Sequence, residues 1–248
     1  MDLQSKTVLV TGGGTGLGRE VSLALARKGA DIAVNYSHSR EDAEATVGDV
    51  RQLGRRAIAV QADVSKTAEV QAMVDAVLKE FGRIDVLINN AGFTVFVDIK
   101  DLDGISEEDW DHIMSVNVKG VFLCSRAVAP AMNAQKGGRI VNITSVAGLR
   151  AGGSSIPYSV SKAAETMLTK CLAMAMGPYI QVNAVAPGLM DTRWGRRWDQ
   201  QAFDRAAQAA PIGRIASLED IAATVVYLVK NDSMTGQSIA VDGGSFMH

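Results

Sequence analysis

Tyr158-Ser159-Val160-Ser161-Lys162 sets a phenol and an ammonium four residues apart. Pro157 stands just before them, Ser154 or Ser155 can cap, and an apolar-striped segment runs from Ala163 to Met176. That order predicts a helix beginning here, because proline suits a first helical position and serine a cap. On such a helix Tyr158 and Lys162 share a face. An unperturbed phenol has a pKa of about 10, and a cation a few ångströms away favours the phenolate. A group that gives and takes a proton works best with a pKa near the working pH, so the pair reads as an acid/base unit. The plainer alternative is a helix-start aromatic beside a solvated lysine.

A second candidate is Thr11-Gly12-Gly13-Gly14-Thr15-Gly16-Leu17-Gly18, between a β-branched run (Lys6 to Thr11) and a helical pattern (Gly16 to Lys28). Glycines there let the backbone turn sharply against a pyrophosphate, whose charge is stabilised at the helix N-terminus. The spacing is G-x-x-x-G-x-G rather than the commoner G-x-G-x-x-G, and its place after the first strand points to a dinucleotide. An acidic residue near the end of the second strand would accept from a ribose 2′-hydroxyl and disfavour a 2′-phosphate. The chain reads Asn35-Tyr36-Ser37-His38-Ser39-Arg40, with no carboxylate before Glu41. Hydroxyls and a guanidinium suit a phosphate, so NADP is favoured over NAD, which stays open.

These residues need a scaffold. Strand-like runs at 6–11, 32–34, 57–61, 84–88, 139–144, 180–185 and 238–241 alternate with helical patterns at 16–28, 40–53, 67–81, 107–134, from Tyr158 to Met176, and 218–229. The 107–134 pattern is expected to bend between Val116 and Gly120. Strands apolar on both faces mean a parallel sheet covered on two sides. The expectation is one Rossmann-like, doubly wound α/β domain over 1–248, with about seven strands and a substrate-covering segment near 189–210.

The 248 residues carry a net charge of −2 and no basic run, which suggests neither a nucleic-acid partner nor a membrane surface. No apolar run reaches spanning length and Met1 to Lys6 lacks a signal-peptide core. Cys124 and Cys171 read as reduced core residues of a cytoplasmic protein. The three histidines are scattered, so no metal is expected.

Further motifs fall at the carboxyl ends of strands or in helices: Asp63-Val64, Asn89-Asn90-Ala91-Gly92, Val116-Asn117-Val118, Ser145 thirteen residues before Tyr158, Pro187-Gly188 with Thr192, and Asp242-Gly243-Gly244. With the glycine turn and the Tyr/Lys pair, they resemble the short-chain dehydrogenase/reductase family over essentially the whole chain. The resemblance implies Asn117, Ser145, Tyr158 and Lys162 as the catalytic set. Ser145 would hold a carbonyl oxygen, Tyr158 exchange the proton, Lys162 lower the phenol pKa and grip the nicotinamide ribose, and Asn117 order a water for proton relay. It implies cofactor contacts from Gly12, Gly14, Thr15, Gly16, Leu17 and Gly18, and from Asn35, Tyr36, Ser37 and Arg40. Asp63 and Val64 would meet the adenine, while Asn90, Ala91, Gly92, Pro187, Gly188, Met190 and Thr192 complete the cofactor site.

Family resemblance also places Phe93, Thr94, Ala147, Ile156, Gly152 and Gly153 around the substrate, mostly small or apolar. Trp194, Trp198 and Phe203 are interleaved with Arg193, Arg196 and Arg197, which could close over a ligand and recognise an anion, or form a surface helix with the arginines solvated. The expected substrate is a modest ketone or secondary alcohol. Many relatives reduce 3-oxoacyl thioesters on acyl carrier protein, and others oxidise sugars. Carrier-docking arginines of such reductases would fall near Pro130 and Met174, and neither is basic, although Arg126, Lys136 and Arg193 are nearby. Acyl carrier protein therefore stays an open partner. Apolar faces at Val116 to Met132 and Ala163 to Met176 correspond to those expected to pair subunits in relatives, usually as tetramers, so the resemblance implies a homotetramer. A dinucleotide-binding regulator without catalysis would need the glycine turn but not the phenol.

Overall fold

The computed structural model describes residues 1–247. Seven parallel strands form one sheet: β1 (Thr7–Val10), β2 (Asp31–Tyr36), β3 (Ala57–Gln61), β4 (Val86–Asn89), β5 (Gly138–Ile143), β6 (Ile180–Pro187) and β7 (Ser238–Val241). Their order is β3-β2-β1-β4-β5-β6-β7, as expected for a doubly wound sheet. Strand order reverses between β1 and β4, and a crevice opens at the carboxyl ends of the strands there.

Helices cover both faces. On one side α1 (Gly16–Ala26), α2 (Arg40–Gln52) and α8 (Leu218–Lys230) pack over Val8, Val10, Ile32, Val34 and Ile88. On the other, α3 (Thr67–Phe81), α5 (Val121–Ala134) and α6 (Ile156–Met176) enclose Leu9, Leu87, Ile140 and Val182. Successive strand residues point to opposite faces, so β1 feeds both cores, Val8 and Val10 to one and Leu9 to the other.

The expected 107–134 helix is three pieces: α4 (Glu107–Met114), a π-helical stretch Ser115–Gly120, and α5. The anticipated bend is a widening of the helix, a form common at functional sites. The segment after β6 is not one surface helix carrying both tryptophans. It is a 3₁₀ turn, Gly195–Arg197, followed by α7 (Gln200–Ala209), capped by Asp199. Cys124 is buried in α5 as expected, whereas Cys171 is exposed on α6 and is not a core residue. Burial pushes the Cys124 thiol up to about 12. No helix among the described residues is long and apolar enough to cross a membrane. Exposed Phe122, Val160, Met167 and Met174 lie on the α5 and α6 surfaces for which subunit pairing was expected.

Candidate active site

The turn after β1 is built by close approach. Gly12 has φ +60° and Gly16 φ +51°, a region costly for side-chain-bearing residues. A Cβ on Gly18 would stand 2.3 Å from the Gly12 carbonyl oxygen and 2.5 Å from Asn90 Nδ2. Asn90 Nδ2 donates to the Thr11 and Gly12 carbonyls, each at 3.0 Å. Thr11 Oγ1 accepts from the backbone N–H groups of Asn90 and Ala91. Asn35 is buried, accepts from the Gly12 N–H at 3.3 Å, and donates to the Ala62 carbonyl at 3.0 Å. Both amides, expected at the cofactor, thus brace the turn.

At α1 the N-cap Thr15 makes no side-chain cap, and the first turn holds no acidic residue. The leading N–H groups therefore remain available to an anion. Gly16, Leu17 and Gly18 line a cleft of about 800 Å³ that runs from Tyr36, Ser37, His38 and Ser39 past Ser145 and Tyr158 to Trp198. Uncapped N–H groups, glycines that leave backbone accessible and a cleft of this reach fit a dinucleotide.

At the other end Ser155 caps α6, its Oγ accepting from the Tyr158 N–H. Pro157 lies in the first turn, as the sequence predicts. Tyr158 and Lys162 both line the cleft, with Lys162 Nζ 5.9 Å from the phenol ring centre. Lys162 is buried and donates to the Ile143 carbonyl at 2.8 Å and to Glu165 Oε2 at 2.7 Å. Burial works to discharge the ammonium. The Glu165 carboxylate and the Tyr158 phenol outweigh it, and the Lys162 pKa stands above its usual value. Burial pushes Glu165 up to about 7 against the pull of Lys162. Ser145 Oγ accepts from the Ala147 N–H at 3.1 Å, which leaves its hydroxyl proton free to donate elsewhere.

Asn117 lies in the π-helical stretch and is fully buried. Its Oδ1 accepts from the Phe93 N–H at 2.8 Å, and its Nδ2 donates to the Phe93 carbonyl at 3.0 Å and Ser161 Oγ at 2.9 Å. It stands behind the cleft rather than in its lining. So do Ile156, Pro187 and the buried Thr94, expected at the substrate but hydrogen-bonded to Ser154 Oγ, while Arg40 is exposed at the start of α2. The other expected cofactor and substrate residues, including Asp63, Val64, Ala91, Gly92, Phe93, Ala147, Gly188, Met190, Thr192, Trp194 and Trp198, line it.

Trp194 meets Tyr158 edge-on at 6.0 Å, and Trp198 meets Phe96 edge-on at 5.4 Å. The neighbouring arginines are engaged: Arg193 with Asp42 at 2.8 Å, Arg196 with Asp191 at 2.7 Å, and Arg197 over the Phe96 ring at 4.4 Å. Their expected use as an anion-recognising set has no support in these contacts. Sequence reading missed His38, Ser39, His112 and Arg150 in the lining. His38 and Ser39 adjoin residues that were singled out. His112 sits edge-on to Phe93 at 4.4 Å, a meeting of α4 with the loop after β4 that no local motif announces.

The short chain dehydrogenase family profile matches residues 6–202. A 3-oxoacyl-[acyl-carrier-protein] reductase FabG of Staphylococcus epidermidis is 38% identical over 98% of this chain and 100% of its own. Among solved structures, levodione reductase superposes with a TM-score of 0.91 at 33% identity, covering 97% of each chain. NAD⁺-bound xylitol dehydrogenase gives 0.89 at 32%, covering 98% of this chain and 100% of its own. Family match, full-length similarity and shared architecture agree: the chain belongs to the short-chain dehydrogenase/reductase family and is an NAD(P)-dependent oxidoreductase acting on CH–OH groups.

Proposed function

We propose that this protein interconverts a ketone and a secondary alcohol with NADP(H), using Tyr158 as general acid and base. The observation that carries the reading is the presence of Tyr158 and Lys162, one helical turn apart on α6, in the same cleft as the glycine turn. The nicotinamide, when bound, supplies or accepts the hydride. Tyr158 protonates the carbonyl oxygen in reduction and takes the alcohol proton in oxidation. Ser145, its oxygen already accepting from Ala147, donates its hydroxyl proton to the same substrate oxygen. Lys162 keeps its charge beside the phenol and favours the phenolate. Asn117 holds Phe93 and Ser161, which fixes the wall behind Tyr158.

The preference for NADP rests on the tip of β2, where Tyr36, Ser37, His38 and Ser39 line the cleft without a carboxylate. Arg40, outside the lining, no longer contributes to it. The substrate end is walled by Phe93, His112, Trp194 and Trp198, which favours a ketone carrying a ring or another compact apolar body. A 3-oxoacyl thioester is the second reading, favoured by the full-length similarity to the staphylococcal reductase.

The test follows nicotinamide absorbance with NADPH or NADH against cyclic ketones, aryl ketones and 3-oxoacyl thioesters. NADPH consumption with one of these classes is expected. Tyr158→Phe should bind NADPH normally and turn over about 10²-fold more slowly, the range for losing a general acid/base. Near-normal turnover in that variant would remove Tyr158 from the chemistry.

A further inference from the structure

We propose that Glu165 is a positioning residue of this active site: its buried carboxylate anchors the Lys162 ammonium and, by offsetting its charge, tunes how readily Tyr158 ionises. The inference rests on the reading of Tyr158 as the proton-exchanging group.

Glu165 follows Lys162 by three residues on α6, is 1% exposed, and places Oε2 2.7 Å from Nζ. An ammonium has three donors. One of Lys162 goes to the Ile143 carbonyl on β5, one to Glu165, and one is left for the cleft side. Two fixed anchors, from a strand and from its own helix, remove the wandering expected of a four-carbon stem. Packing does not account for the carboxylate. A buried ion pair is often no more stabilising than apolar residues of the same volume. What it does supply is a defined direction for Nζ and a negative charge close to the phenol.

That charge acts on Tyr158 through the helix. Glu165 lies seven residues beyond Tyr158, two turns along and nearly the same face, so about 10 Å away. At an effective dielectric of about 20, a unit charge at that distance moves a pKa by about one unit. With Lys162 charged the sign is fixed: the carboxylate opposes phenolate formation and the ammonium favours it. Lys162 is the ion that acts on Glu165, and Lys162 in turn responds to Glu165 and Tyr158. The elements packed on α6 bring neutral dipoles: the Ile143 carbonyl, the Asn142 amide bonded to Thr169, and the Asn117 amide bonded to Ser161. His112 of α4 and Arg150 line the cleft on the Tyr158 side and are unchanged by substitutions at Glu165. Burial lifts Glu165 to about 7, so its charge is present above neutrality and fades below.

The experiment titrates the Tyr158 phenol directly, as the ultraviolet difference spectrum between each protein and its Tyr158→Phe counterpart. It also records the pH profile of kcat/KM for alcohol oxidation. Glu165→Gln keeps the shape and drops the charge. It should shift both titrations toward acid by about one unit, with the profiles converging below neutrality. Glu165→Asp, which keeps the charge, should stay within a few tenths of a unit of wild type. If Glu165→Gln does not fold, Glu165→Leu, with no polar atom to misplace, should give the same acid shift. An unmoved phenol titration in the charge-free variant overturns the proposal, as does an equal shift in Glu165→Asp. The two readings fail separately. A wild-type protein without turnover but with a shifted phenol titration would defeat the oxidoreductase reading and leave the role of Glu165 standing.

Discussion

Asn117→Ala separates two roles that one side chain can have. The amide makes three hydrogen bonds, two of them a reciprocal pair with the backbone of Phe93. Removing it leaves the Phe93 N–H and C=O without those partners, while Ser161 Oγ keeps its bond to the Tyr158 carbonyl. Each orphaned buried group costs about 1–3 kcal/mol, less where water can enter, so a total of about 2–4 kcal/mol is expected. For a domain of this size each kcal/mol lowers Tm by roughly 2–4 °C, giving a fall of about 5–15 °C. Phe93 and Ala91 line the cleft, so the NADPH dissociation constant should rise together with the loss of stability. Differential scanning fluorimetry with and without NADPH, beside steady-state kinetics, measures both. A Tm within about 2 °C of wild type, together with turnover lowered more than tenfold, would refute the clamp and leave Asn117 a purely chemical role.

Gly18→Ala tests the cradle. Its Cβ would sit 2.3 Å from the Gly12 carbonyl oxygen, where about 3.0 Å is the nearest a carbon comes, so the turn must retreat by roughly 0.7 Å. Overpacking of this kind costs about 1–3 kcal/mol, and if it falls on the bound state, NADPH affinity drops about tenfold to hundredfold by tryptophan quenching. Unchanged affinity would show that the turn is not the binding surface. Ser37→Asp places a carboxylate at the tip of β2 and should reverse the ratio of kcat/KM for NADPH over NADH by at least about tenfold. Arg40→Ala, at an exposed position outside the lining, should change that ratio less than about threefold.

The alternation of strand and helix was readable because buried parallel strands are apolar on both faces, as in Val86, Leu87 and Ile88 of β4, and most helices carry a clear stripe. That Tyr158 and Lys162 share a turn of one helix was readable because spacing on a helix is a local property, and the glycine turn because tight approach demands glycine. Sequence position does not say what a side chain spends its hydrogen bonds on. Asn35, Asn90 and Asn117 were all expected at the site, and all three are committed to backbone groups 23 to 79 residues away in sequence. The π-helical register of Ser115–Gly120 and the split of the segment after β6 were hidden for the same reason. Both depend on packing against loops that the local pattern does not contain. Glu165 escaped because a glutamate on a helix reads as solvated until the fold shows that position 165 faces inward.

The committed amides link the cradle to the phenol through a continuous chain of hydrogen bonds. Asn90 grips the Thr11 and Gly12 carbonyls, and three residues later Phe93 is gripped by Asn117. Asn117 passes the constraint to Ser161, whose hydroxyl donates to the Tyr158 carbonyl at 2.7 Å. Beneath them Asn89 donates to Asn142, and Asn142 to Thr169, joining β4, β5 and α6. The segment from Asn89 to Phe93 is thus a strut between the glycine turn and Tyr158. On the proposed mechanism, hydride and proton transfer to one carbonyl require both ends at a fixed separation, and a misplacement of about 1 Å can cost 10²-fold in rate. A polar strut of buried, mutually satisfied amides holds that separation better than apolar contacts, because each bond has one geometry and leaving it unmade costs about 1–3 kcal/mol.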